Sequence, residues 1–420
     1  MVFIEFFEKY SVENLCASLA SCPEKVILIG SNLKQMNKHK ARYEKIFELR
    51  EKNIEFICRS VNRNDLASIV HAIEDIIKTT DDIYFGLTGG DDLYLVAMGI
   101  IAERYKDKNI QMHRFNIKNN KIFDCDGDGN MIEKTEVPCL SVWEYVYSHG
   151  GDIITDPENE YCTFEWDFDA AFSADVHGMW EICKTDTRGW NIQTTIFGIV
   201  DKLCDSENAD SLKIEASMQD VLNEVHRSGN QYGYYSKIVK ALYRDGYITA
   251  YEYNDNKISV TFRDSQIKRC LTKAGQVLEL KIYIEAKFAK DDNGNYVYYD
   301  AMNGVYIDWD GVLGDKQDLP DTINEVDVIL THDMIPVFIS CKNGWVSMEE
   351  LYKLSTVAQK FGGEYAKKVL VAPSLEKYGD HAKYVRKRAN DMGIIVEDDI
   401  ESMDDEKMRS TIATWWERPL

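Results

Sequence analysis

Two short apolar runs, Val326 to Leu330 and Val337 to Cys341, stand on either side of His332-Asp333-Met334-Ile335-Pro336. A hairpin made of them has to accommodate both an acid and a lysine. Asp327 lies inside the first run and Lys342 comes directly after the second, so pairing brings the two side chains together across adjacent strands. Unpaired charge is costly in an apolar sheet, and such groups pair, hold a metal or carry out chemistry. Glu325 stands two residues before Asp327, and the alternation of a strand puts both carboxylates on one face.

At 420 residues the chain is too long for one core, and two or three domains are expected. Its 45% of apolar residues suffice to fill them. No apolar run is long enough to cross a bilayer and no basic start precedes a hydrophobic segment, so the expectation is a cytoplasmic protein without a membrane partner. Ten cysteines occur without a single CxxC pair, which argues against a zinc knuckle and a disulfide framework. A net charge of −22 excludes adhesion to nucleic acid through the whole surface. The charge is uneven. Between Cys341 and Asn390 stand ten Lys or Arg against five acids, a basic island in an acidic chain.

The first 150 residues alternate strand and helix signals, as an open parallel sheet does. Val26 to Gly30, Ile54 to Cys58 and Ile83 to Leu87 read as strands. Lys38 to Arg50, Leu66 to Lys78 and Leu93 to Tyr105 read as helices. In such a sheet ligands sit beyond the carboxyl ends of the strands, which gathers Ser31, Asn32, Thr88, Gly89 and Gly90 on one rim. Glycines before a helix N-terminus expose amides suited to phosphate. Lys121 to Val137 reads as a hairpin around Asp124 to Gly129. That turn opens like a calcium loop, but Thr135 stands where such a loop needs a bidentate Glu, so it is read as an acidic turn.

From Gly150 the pattern changes. Thr194 to Leu203, Leu212 to Val225 and Tyr234 to Tyr243 read as helices. Tyr247 to Tyr253 and Lys257 to Phe262 form a hairpin, and together these suggest a winged helix over residues 151–265. Its second helix carries only Lys237, Lys240 and Arg244, so a packing linker is preferred to a DNA reader. From Gln266 onward come a helix from Gly275 to Ala286 containing Glu279, strands at Tyr296 to Ala301 and Gly304 to Trp309 joined by Met302-Asn303, and the two runs described first. After them stand a helix from Met348 to Phe361 closed by Gly362-Gly363 and a strand from Lys368 to Ala372.

The order Glu279, Glu325-Val-Asp327, Ser340-Cys-Lys342 and Gln359 resembles the PD-(D/E)xK phosphodiesterase superfamily, with Ser where the usual motif has an acid. The strings NEVDV, FISCKNG and ELYKLSTVAQKFGGEYAKKVLV, taken with the TGG domain, look like the CARF-plus-nuclease effectors of type III CRISPR systems. The implied fold class is α/β: a Rossmann-like CARF domain at 1–150, the winged-helix-like middle at 151–265 and an α/β/α PD-(D/E)xK domain at 266–420. The resemblance implies a homodimer that binds a cyclic oligoadenylate, cyclic tetra-adenylate by expectation, at Ser31, Asn32, Thr88, Gly89, Gly90 and Asp91. Binding would switch on a nuclease using Mn2+ or Mg2+ against DNA, RNA or both.

In that scheme Asp327 matches the central metal ligand, with Glu279 or Glu325 as the second carboxylate. Lys342 matches the catalytic lysine, Ser340 would hold a water of the cation, and Gln359 would contact the substrate or the active site. Two other readings are open: a regulator that drives the winged helix onto DNA without cutting, and a CARF domain that degrades its own ligand.

Overall fold

The computed structural model describes residues 1–7, 12–87, 89–117, 119–125, 129–136, 138–204, 211–313 and 322–418, organised around three sheets. The first sheet has seven strands. Its parallel part runs in the spatial order Glu55–Ser60, Lys25–Gly30, Val2–Phe6, Asp82–Gly86, Asn109–Asn116, and Lys121–Cys125 and Met131–Glu136 extend it antiparallel. Helices Glu13–Ser21 and Leu33–Leu49 cover one face around Leu15, Met36, Tyr43 and Phe47. Helices Leu66–Ile77 and Asp92–Arg104 cover the other around Ile4, Phe6, Ile69, Ile73 and Ile101. Strands this continuously apolar need both faces covered, and the doubly wound arrangement supplies that.

The sequence reading begins the sheet at Val26, whereas its central strand is Val2–Phe6. Glu5 interrupts that apolar run and disguises it. The carboxylate is 1% exposed and lies 2.9 Å from the His113 Nε2. It passes over Gly86, where a Cβ would stand 1.9 Å from Glu5 Oε2, so only glycine fits there.

The second sheet orders Ile248–Tyr253, Lys257–Phe262 and Lys213–Ser217 antiparallel. With helices Met218–Ser228 and Ser236–Arg244 it forms a winged-helix shape. The single helix expected over Leu212 to Val225 divides at Ser217, whose side chain caps the new helix by accepting from the Asp220 amide. Helices Ala170–Thr185 and Thr187–Leu203 share one apolar core with helix Gln276–Lys287, through Trp180, Trp190, Phe197, Leu278 and Ile282. The middle region therefore packs as an extension of the C-terminal region rather than as a free linker.

The third sheet has six strands, ordered Ile395–Glu397, Lys367–Val371, Ile335–Cys341, Ile323–His332, Asp300–Asp308 and Asp152–Ile153. Helices Gln276–Lys287 and Asp405–Ala413 lie against one face. Helices Met348–Gly362 and Asp380–Asp391 lie against the other, giving an α/β/α sandwich. The two strands expected between Tyr296 and Trp309 are a single strand, Asp300–Asp308, antiparallel to Ile323–His332. Gly304, at φ +58°, absorbs the irregularity that reads as a turn in sequence. The helix from Met348 ends at Gly362 with Gly363 at φ +67°, a glycine cap as expected. Among the described residues no helix is long and apolar enough to cross a membrane.

Among the contacts between the first domain and the third sheet, two are deeply buried. The turn between Ile323–His332 and Ile335–Cys341 inserts Met334, fully buried, into the core that also holds Leu15, Cys16 and Tyr145. There the Tyr145 hydroxyl donates to the Met334 carbonyl at 3.2 Å. Separately, the buried Arg42 guanidinium of helix Leu33–Leu49 donates to the carbonyls of Tyr147, Gly150, Gly151 and Asp310 at 2.8–3.1 Å. Met334→Ala empties the insertion and is expected to cost about 2–5 kcal/mol in denaturant unfolding of the whole chain. A loss below about 1 kcal/mol would mean that the turn is not held in that core.

Candidate active site

The strand pair around Asp327 fixes the site. Antiparallel pairing between Ile323–His332 and Ile335–Cys341 runs from His332 opposite Ile335 to Val328 opposite Ile339. Beyond that point the Cys341 amide donates to Asp327 Oδ2 at 2.6 Å, so the side chain takes over from the backbone ladder. The Ser340 hydroxyl donates to the same oxygen at 3.3 Å, and Lys342 Nζ stands 3.6 Å from it. Asp327 and Ser340 are both buried. Lys342 also reaches Glu350 Oε2 at 3.3 Å, on the first turn of helix Met348–Gly362. Burial disfavours the lysine cation, but Asp327 and Glu350 outweigh it and hold Lys342 protonated above the ordinary lysine range.

Glu279 enters from the helix on the opposite face, Gln276–Lys287, and is 5% exposed. Burial, reinforced by the nearby Asp327 carboxylate, pushes its carboxyl up to about 8. The Gln276 amide donates to Glu279 Oε2 at 3.1 Å and approaches the Asn303 carbonyl oxygen at 3.3 Å. Asn303 in turn donates to the Asp327 main-chain carbonyl at 3.0 Å. Glu325 lines the same pocket yet titrates the other way. Burial raises it, and the Lys273 ammonium at 2.6 Å, with a hydrogen bond from Tyr306, more than offsets that and lowers it. Lys273, 3.9 Å from Glu279, lowers that acid too, but burial and the Asp327 carboxylate outweigh it.

The structure thus brings together Glu279, Glu325, Asp327, Ser340 and Lys342. Gln359 does not join them. Helix Met348–Gly362 lines the pocket with Glu350, Lys353, Leu354 and Val357, spaced along one face, and Gln359 falls on the opposite, exposed side with Tyr352. Sequence reasoning misses Lys273, Gln276, Asn303 and Glu350. Of these only Glu350 had a local signal, an acid in the first turn of a helix directly after the lysine strand.

Among the described residues no group of three or more His, Cys, Asp or Glu is arranged to hold a metal ion. The donor chemistry still fits a hard cation: two buried carboxylates, Asp327 and Glu279, are close enough for one to raise the other.

At the rim of the first sheet Ser31 and Asn32 come directly after strand Lys25–Gly30 and are exposed. Asn32 caps helix Leu33–Leu49 by accepting from the Gln35 amide at 3.1 Å. Gly89 is buried and Gly90 adopts φ +101°, with Phe6 Cβ only 2.9 Å from where its own Cβ would stand, so no other residue fits. Thr88 lies outside the described residues, as do residues 126–128 of the acidic turn. Asp91 precedes helix Asp92–Arg104 and faces Arg63 at 3.4 Å.

No protein-family model and no curated protein sequence matches the chain. Solved structures do. Protein VC1899 from Vibrio cholerae superposes over 99% of this chain and 97% of its own, with a TM-score of 0.70 and 16% identity. Can2 from Sulfobacillus thermosulfidooxidans, solved in complex with cyclic tetra-adenylate, matches over 99% of both chains, with a TM-score of 0.66 and 14% identity. The entire fold, doubly wound domain, winged-helix-like middle and α/β/α domain, is shared with these proteins.

The raised Glu279 makes the metal-free protein pH-sensitive. Below about 4.5 the carboxyl is protonated folded or unfolded and its contribution to stability is fully present; as pH rises to about 8 the unfolded chain releases a proton the folded one retains, and that stability is lost. In EDTA, Glu279→Gln is expected to flatten this decline, gaining on wild type as pH rises. A melting-temperature difference that stays constant between about pH 5 and pH 8 would contradict the assignment.

Proposed function

We propose that this chain is a nuclease of the type III CRISPR ancillary class, gated by a cyclic oligoadenylate and dependent on a divalent metal. The carrying observation is the Asp327, Lys342 and Glu279 constellation, built across a sheet and the helix behind it, in a chain that shares its whole fold with the cyclic-tetra-adenylate-bound Can2. Residues 1–150 sense, 151–265 pack and 266–420 cut.

Asp327 is held rigid by the Cys341 amide and Ser340, with one oxygen committed to the protein. Lys342 stays charged beside it and is suited to offset negative charge growing on a phosphate under attack. Asp327 and Glu279 would hold Mg2+ or Mn2+, with Glu325 a further acid in reach once Lys273 moves; solvent and substrate oxygens would complete the shell. The cation supplies Lewis acidity to the scissile phosphate and the attacking water. Glu279, about half-protonated near pH 8, releases its proton to accept a cation.

On the sensing side, Ser31, Asn32, Gly89 and Gly90 border the carboxyl ends of the parallel strands, where a cyclic oligoadenylate is expected. The Arg63 pairing supports a role for Asp91 that does not oppose phosphate, since its charge is already met. Leu95 and Val96, 44% and 48% exposed on helix Asp92–Arg104, and the exposed Met131 and Ile132 support a homodimer joined at this domain.

The test is cleavage of single-stranded DNA, RNA and supercoiled plasmid with Mn2+ or Mg2+, each with and without cyclic tetra-adenylate. Activity is expected only with the activator and to fall roughly 100-fold or more in Lys342→Ala and Asp327→Ala. Full activity in either variant rules out the assigned chemistry. Ligand-dependent duplex binding with no cleavage in any metal would favour the regulator reading.

A further inference from the structure

The basic island around the pocket carries a second pattern. Trp345, three residues after Lys342, is 58% exposed, an uncommon state for so large a ring. One of its faces is covered by the His381 imidazole, stacked at 3.6 Å and 10°, and its edge is braced by Tyr378 at 5.3 Å and 88°. His381 is itself tied to the Val346 carbonyl at 2.8 Å, which fixes the stack. The other face of the indole is left to solvent.

His381 begins a row along helix Asp380–Asp391. Tyr384 and Arg388 succeed it at spacings of three and four residues on the same face, over roughly 10 Å of helix. Tyr384 is 58% exposed. Arg388 lies 5.4 Å from the centre of the Tyr352 ring, which is 45% exposed on the neighbouring helix. Exposed rings therefore run from Trp345, beside the site, along helix Asp380–Asp391 to Arg388 and Tyr352.

We infer that Trp345, Tyr384 and Tyr352, with Arg388, form a track that stacks the bases of an unpaired nucleic-acid strand, its Trp345 end, three residues after Lys342, delivering the phosphates to Asp327 and Lys342. This rests on the nuclease reading and names the substrate form the site takes. Flat rings interleaved with cations are how sequence-tolerant single-strand sites are built, because every base has a π-face. A duplex hides those faces. The charge agrees: in a chain of net charge −22 this segment is basic, and three of its acids are answered locally. Glu350 faces Lys342, Glu376 faces Arg386 and Asp380 faces Lys383.

The experiment is fluorescence anisotropy of a labelled mixed-sequence DNA oligomer on the full-length protein, in EDTA with cyclic tetra-adenylate, so that binding is read without cleavage. Trp345→Ala and Tyr384→Ala are expected to weaken binding about 5- to 100-fold each, Trp345→Phe and Tyr384→Phe to retain most of it, and an abasic oligomer to bind wild type weakly. Equal binding by wild type and the alanine variants overturns the track. So does a duplex that binds as tightly as the single strand, or a wild type that binds neither. Hydrolysis of bis(p-nitrophenyl) phosphate by wild type with Mn2+ separates the two readings. That substrate has no base, so its turnover alongside a failed binding test leaves the nuclease reading standing without the track.

Discussion

The burial of Met334 in the core of the first domain is the constraint on which the rest of the structure depends. Its hairpin carries the candidate catalytic groups at the opposite end: from Asp327 to His332 is five strand residues, roughly 17 Å, with Met334 in the turn beyond. One end of this rod is clamped among Leu15, Cys16 and Tyr145, and the other presents Asp327 and Lys342. Close-packed cores shift between discrete arrangements more readily than they deform. Arg42 adds a second tie. It lies on the helix that Asn32 caps at the rim, and it grips the carbonyl of Asp310 just past the strand facing Asp327.

Within the site, burial and neighbouring charge divide three acids into three states. Asp327 is tied into the protein by a backbone amide and a hydroxyl. Glu325 is lowered because Lys273 and Tyr306 outweigh its desolvation, whereas the more deeply buried Glu279 is raised to about 8. Lys273, 2.6 Å from Glu325 and 3.9 Å from Glu279, lowers both, and the deeper burial of Glu279 beside Asp327 makes the difference. Depth of burial decides which carboxylate stays neutral, because desolvation disfavours the charged form. The middle region contributes as well: Asn191 of helix Thr187–Leu203 bonds both the side chain and the carbonyl of Asn343, immobilising the residue after Lys342.

Much of this was legible in the sequence. The paired runs around Asp327 and Lys342, the alternation that makes the first sheet, the wing at 247–262 and the glycine cap at Gly363 are local patterns, and local patterns survive as structure. Val2–Phe6 escaped because a single buried acid broke its apolar signature, and that acid is tolerated only because His113 and Gly86 meet it from other strands. Gln359 was misjudged because spacing along a helix fixes which residues share a face, while packing decides which face turns inward.

By itself, then, the chain determined its periodicities, its strand partners and the chemistry of the acids and lysine placed on them. Tertiary structure alone decided that Lys273, Gln276, Asn303 and Glu350 complete the site, that Glu279 and Glu325 titrate in opposite directions, and that the hairpin of Asp327 is anchored in a domain some three hundred residues away in sequence. Those outcomes depend on distances of a few ångströms between segments remote along the chain. Such distances are set by how apolar faces pack together, a property that no short stretch of sequence contains.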